Sequence, residues 1–301
     1  MSEDSVKLYD LIDAQDQQAI LTEILHILSM LAVDDSRRQR FISVYKDIVL
    51  LFNGDYPGYR ASNTRYHNLE HTTMVALGTA RLIHGCTGKM DFAPDSILTG
   101  LLAALYHDVG LIQTTADRSG TGAKYTIGHE NRSVTFMRHN MGRKFFPAWQ
   151  MDDCEAMIQC TNIHTSPSRI AFRNDEIHYM GMIVGSADLL SQIADRKYLE
   201  KLTLLFKEFE EAGIPGFHSE AELVEKTEDF YDNIARSRLI NTLGNVSANM
   251  QYHFRSRWQI DRDLYAEAIE NNIGYLRPIV ARGDCCKNTD YQKYLRRGNI
   301  A

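Results

Sequence analysis

From Ile97 to Leu105 the chain carries Ile97, Leu98, Leu101, Leu102, Ala103, Ala104 and Leu105, and His107 and Asp108 follow almost at once. Apolar residues so placed read as a buried helix, with Gly110 expected as its left-handed stop. A carboxylate at that end lies where carbonyl dipoles point, so its charge is disfavoured unless a cation reverses the local field. A metal ion beside Asp108 is therefore expected. Upstream, His67 and His71 stand four apart in Tyr66-His67-Asn68-Leu69-Glu70-His71. On a helix that spacing sends both imidazoles off one face, about one turn apart.

Helical spacing recurs through the rest of the chain. Residues 7–52 imply two or three helices, closed by the breaker-rich loop Asn53–Gly58. Further patterns fall at about 67–84, 95–108, 129–140, 152–164, 175–195, 197–212, 219–256 and 263–280. Strand-like alternation is scarce and prolines number only six, so the expected fold is all-α, with no linker that forces a split. The stretch 219–256 has apolar residues on more than one face, among them Leu223, Phe230, Ile234, Leu239, Ile240 and Leu243. It could cover the core or form a homodimer contact.

A net charge of −6 argues against a large nucleic-acid surface and for a small substrate. The five cysteines are odd in number, and the acidic start Met-Ser-Glu-Asp-Ser has no signal-peptide pattern. Reduced thiols and a cytoplasmic protein are expected, with Cys285 and Cys286 read as plain thiols near a tail. No apolar run approaches the roughly 20 residues that span a bilayer.

Three more residues are candidate metal ligands. His129 opens a helix in Gly128-His129-Glu130, His164 is expected to end the helix holding Met157, Ile158 and Cys160, and Asp188 shares a helical face with Ile177, Met180, Gly181, Val184 and Ser191. A carboxylate aimed into an apolar layer needs a metal or an arginine beside it, since an unpaired buried charge costs several kcal/mol, of order 3–5. Each has an ordinary alternative. His129 could be capping chemistry, His164 a dipole contact at a helix end, and Asp188 a partner for Arg132 or Arg196. His84, His139, His178, His218 and His253 are read as ordinary surface or core histidines.

The order His, His-Asp, His, His, Asp resembles the HD-domain superfamily of metal-dependent phosphohydrolases, over roughly residues 61–200. Tyr66-His67-Asn68-x-x-His71 is similar to the motif of class I cyclic-nucleotide phosphodiesterases, and Ser186-Ala187-Asp188-Leu189 to the segment carrying their last metal ligand. The resemblance implies one helical domain over 1–301. An HD core of about 61–200 would be flanked by N-terminal helices (1–60) and C-terminal helices (201–301). It makes His71, His107, Asp108 and Asp188 ligands of a first metal and His67 a proton donor to the leaving oxygen. His129 and His164 look like the second-metal ligands of HD-GYP-type phosphodiesterases and of diiron HD oxygenases, with Asp108 bridging. The Gly-Tyr-Pro signature is absent after Asp108. So are the second histidine that follows the His-Asp pair in class I enzymes and a clear counterpart of their purine-holding glutamine.

The expected chemistry is hydrolysis of a phosphodiester or nucleotide by a hydroxide shared between two divalent metals. Imidazoles and carboxylates in this mix suit Fe, Mn, Ni or Zn, with oxygen-preferring Mg also possible; the resemblance favours iron or manganese. Lys124, Arg196 and Lys197 are candidate phosphate clamps. The alternatives are a mixed-valent diiron HD-type oxygenase and a nucleotide-sensing regulator.

Overall fold

Local capping signals set most helix starts. The structure, a computed structural model, describes residues 5–283, and within them the chain forms α1 (Leu8–Leu11), α2 (Gln17–Met30), α3 (Asp35–Asn53), α4 (Leu69–Gly85), α5 (Pro94–Tyr106), α6 (His129–Arg143), α7 (Ala148–Ile158), α8 (Asp175–Ile193), α9 (Tyr198–Ala212), α10 (Glu220–Asp229), α11 (Met250–Trp258) and α12 (Leu264–Ala281). Asp16, Asp34, Asn68, Asn174, Ser219 and Asp263 each accept backbone N–H bonds at the head of a helix. Each satisfies donors that the first turn leaves without a partner. Gly54 ends α3 in the left-handed conformation. No strand occurs among the described residues, where an isolated bridge joins Tyr59 to Thr114.

The apolar run identified at 97–105 is α5, and Ser96 to Tyr106 are all buried. It packs on α3, α4, α7 and α8, while α4 also meets α2, α8 and α11. The core is continuous from Leu8 through Ile279. Each fully buried Leu or Ile in it contributes about 1.5–3 kcal/mol. No described helix is long and apolar enough to cross a membrane. Cys86, Cys154 and Cys160 are buried free thiols; Cys285 and Cys286 lie outside the described residues.

Four boundaries depart from the sequence reading. The helix expected from 67 begins at Leu69, because Asn68 caps it through His71 N–H, and His67 therefore lies in the preceding loop. The helix expected to reach His164 stops at Ile158. Arg238 draws the chain beyond it aside by donating to the carbonyls of Cys160, Asn162, Ile163 and Thr165. The stretch 219–256 is not one helix. After α10 come two π-helical turns (Phe230–Ala235 and Arg238–Thr242), a break at Gly244 and Asn245, both left-handed, and then the 3-10 turn Val246–Asn249 before α11. Leu223, Leu239 and Leu243 are buried in the core, while Ile234 and Ile240 remain exposed.

Gly110 is not a left-handed stop either. It lies inside the 3-10 turn Val109–Leu111, and its φ is not among the positive ones. The glycine is needed for space: a Cβ there would meet the His129 carbonyl oxygen at 2.0 Å and the Ser133 nitrogen at 2.7 Å. Because both obstacles are backbone, Gly110→Ala should push α6 away and destabilise the protein by roughly 2–4 kcal/mol, read by chemical denaturation. A variant as stable as the parent would show that α6 can shift at no cost.

Candidate metal centre

Three helix ends meet at Asp108. α5 delivers His107 as its C-cap and Asp108 one residue on, α4 brings His71 in its first turn, and α6 starts at His129. Asp188 comes from the second-last turn of α8, whose other face packs in the core. Ser133 ties α6 to this corner, accepting from Gly110 N–H at 2.9 Å and donating to the His107 carbonyl at 2.6 Å. Arg132 adds a bond to the Gly110 carbonyl at 2.7 Å.

The distances are those of donor atoms gathered around a point. His71 Nε2 lies 3.3 Å from His107 Nε2, 3.4 Å from Asp108 Oδ2 and 3.2 Å from Asp188 Oδ1. His107 Nε2 is 3.1 Å from Asp108 Oδ2, and His129 Nε2 is 3.2 Å from Asp108 Oδ1. His71, His107 and Asp108 are all buried, and together they can hold a metal ion.

The protonation logic supports that fit. His107 Nδ1 donates to the Ala104 carbonyl and His129 Nδ1 to the Thr126 carbonyl, each at 2.8 Å. A carbonyl can only accept, so each neutral ring must turn an Nε2 lone pair towards Asp108. Lone pairs facing carboxylate oxygens repel unless a cation or an extra proton lies between them. Asp108 Oδ2 is accordingly a buried oxygen without a hydrogen-bond partner. Without metal, protons take the cation's place. Burial opposes charge on His107, but the Asp108 carboxylate and its hydrogen bond outweigh it and raise the pKa to about 9. Burial likewise opposes ionisation of Asp108, yet His107 and His129 hold its pKa well below the usual carboxylate range. His71 and His107 also lower that of Asp188 against its burial.

His67, though off the helix, reaches the site: its ring is 5.8 Å from that of His71. A residue not foreseen from sequence holds it there. Glu208, buried on α9, accepts from His67 Nδ1 at 2.6 Å and from Tyr66 N–H at 2.7 Å. Burial works against the His67 imidazolium, but the Glu208 bond and the charges of Asp108, Glu208 and Asp188 raise its pKa to about 9. Glu70, between the two histidines in the chain, pairs at 2.7 Å with Lys201, which also binds Asp195.

Other expectations fare differently. Asp188 pairs with histidines and not with Arg132 or Arg196. His164 is exposed in the turn after α7, and the structure does not bring its ring to the cluster. Lys124 spends its three donors on Asp117 Oδ1, the Ser119 carbonyl and Ser119 Oγ, all at 2.7–2.9 Å, which staples its own loop and leaves none for a phosphate. Arg196 and Lys197 line a cavity of about 520 Å³ that touches His71.

Residues 147–267 are similar to a family described as Npun_R2479-like. That stretch carries Asp188 and Glu208 and begins after His67, His71, His107, Asp108 and His129. No curated protein matches the chain.

A ligating imidazole must be neutral, whereas the raised pKa of His107, about 9, keeps it charged at pH 7 in metal-free protein. Uptake of a divalent ion at pH 7 should therefore expel at least about one proton, and the release should fade as pH rises past about 9. Calorimetry in buffers of different ionisation enthalpy measures this. Proton-neutral uptake at pH 7 would contradict the placement of the ion at His107, and Asp108→Ala should abolish tight uptake altogether.

Proposed function

We propose that the chain is an HD-type metal-dependent phosphohydrolase acting on a small phosphorylated substrate, a phosphodiester or nucleotide. The observation that carries this reading is the His67–Glu208 pair set beside a cluster of donor atoms that needs a cation. His71, His107, Asp108 and Asp188 would hold one ion, and Asp108 with His129 would contribute to a second. Iron or manganese fits the imidazole-rich set best. Bound there, the ions would supply Lewis acidity and a nucleophile ionised near neutral pH.

The chain's own residues account for the other half of a phosphoester cleavage. Glu208 fixes the orientation of His67 by accepting the hydrogen bond from Nδ1–H, so Nε2 is the atom left to give a proton to the leaving alkoxide. Thr64 holds the His67 carbonyl at 2.6 Å and Tyr66 packs its ring against the imidazole, which limits where that nitrogen can point. Positive charge in the cluster would pull the His67 pKa down from about 9 towards neutrality, the range in which a general acid works best. Oxygen activation has no use for an acid at this place. His164, which the resemblance gives to the second ion in both chemistries, is exposed and does not separate them.

His67→Ala should keep the metal and slow cleavage of an alkyl phosphodiester by about 10²–10⁴-fold, with a much smaller loss for an activated aryl phosphate. Glu208→Gln should show the same leaving-group pattern more weakly. The measurement is elemental analysis of each protein followed by turnover on both substrates with the metal found. Equal slowing on both would remove the acid role, and an absolute requirement for dioxygen would replace hydrolysis with oxygenation.

A further inference from the structure

Arg81 is a buried cation with no counter-ion among the described residues. It sits on α4, about 15 Å along the axis from His71, and none of its surface reaches solvent. Nη1 donates to Tyr265 Oη at 3.2 Å, while Nε and Nη2 are buried without an acceptor. The rings of Phe254 and Tyr265 flank the guanidinium at 5.7 and 5.8 Å. Among the described residues no carboxylate lies within ion-pair distance of it. A guanidinium cannot shed its proton to escape burial, so an unpaired one is strongly destabilising unless a ligand brings the anion.

The cavity of about 520 Å³ beside His71 has Arg81 in its wall. It opens between α4, the end of α8 and the N-terminal segment. Arg196 lies over the Tyr9 ring at 4.2 Å, and Lys197 is its neighbour on the same rim. The acids along the wall each have a hydrogen-bond partner and keep their charge. Glu70 and Asp195 bind Lys201, Asp13 accepts from Gln15 N–H and Asp10 from Lys7 N–H. Leu8, Ile12 and Met74 give the cavity an apolar side.

We infer that this cavity binds a small molecule through an oxyanion, carboxylate or phosphate, seated on Arg81, with Arg196 and Lys197 drawing it in. A cavity of this size suits a ligand of metabolite or mononucleotide dimensions. Nε and Nη2 are the two donors left without an acceptor, and together they form the fork that matches two oxygens of one acid group. The occupant's body then lies along α4 towards His71. This site requires no metal and stands whether or not the cluster hydrolyses anything.

The test is calorimetric titration of the full chain, metal-replete and chelator-treated, with inorganic phosphate, pyrophosphate and citrate. Saturable binding that survives chelation is expected from the phosphates or from citrate, and which of them binds identifies the acid group. Arg81→Met should weaken that binding about 100-fold, while folding as stably as the parent or more so. Should that variant not fold, the double change Arg196→Ala and Lys197→Ala on the rim should weaken binding about tenfold. The inference is overturned if none of the three anions binds the chelator-treated protein, or if the variant binds as tightly as the parent.

Discussion

Asp108 is a carboxylate buried at the end of a buried helix, and the site is arranged around that awkward fact. At the C-terminus of α5 the carbonyl dipoles oppose its charge. Burial opposes it too, yet the group is held ionised because His107 and His129, tied by their Nδ1 atoms to carbonyls, present Nε2 to it, and a proton on those nitrogens meets its charge. The main-chain anchors, and not the imidazoles alone, therefore decide the site's affinity for cations. Freed of the Ala104 or Thr126 carbonyl, either ring could flip and satisfy Asp108 with an ordinary N–H bond. The anchored rings leave that place to a proton or a metal.

The second tier of support comes from α9. Lys201 and Glu208 are seven residues apart, about two turns, and so share a face. That face docks on the start of α4, where Lys201 meets Glu70 and Glu208 meets His67 and Tyr66. A buried pair of opposite charges adds little to stability compared with apolar packing, but it fixes register. Sliding α9 by one residue would separate both pairs at once. The position of His67, which no helix holds, is thus set by a helix more than a hundred residues later in the chain.

Much of this is legible in the sequence, for identifiable reasons. His107 and Asp108 could be read because they interrupt an apolar run, and Asp188 because it occupies an apolar face. In both cases a charge stands where burial forbids one. Glu208 was hidden by its neighbours, since Glu210 and Glu211 make the stretch look like a solvated acidic surface. Lys124 misled in the opposite sense, because its partners Asp117 and Ser119 lie upstream in the same loop and already take all its donors. The end of α7 was placed too late because Thr165-Ser166-Pro167 is a good stop signal, whereas the actual cause is Arg238, remote in sequence, collecting four carbonyls. The start of α4 was readable after all: Asn68 is an ordinary N-cap three residues before His71.

Two buried charges of opposite sign thus lie along α4, an anion at Asp108 that depends on a proton or a metal beside it and, among the described residues, a cation at Arg81 with no carboxylate in ion-pair range. Globular proteins are stable by only about 5–15 kcal/mol, and a buried charge stripped of its partner costs several kcal/mol, commonly about 3–5. Carrying both demands a large apolar core, which α2, α4, α5 and α8 supply. It also ties folding to occupancy, because anything that neutralises either charge in the native state alone stabilises the protein by mass action. The two sites meet at His71, which faces His107 and Asp108 and also lines the Arg81 cavity. A change in how that ring sits is the shortest physical route by which filling one site could alter the other.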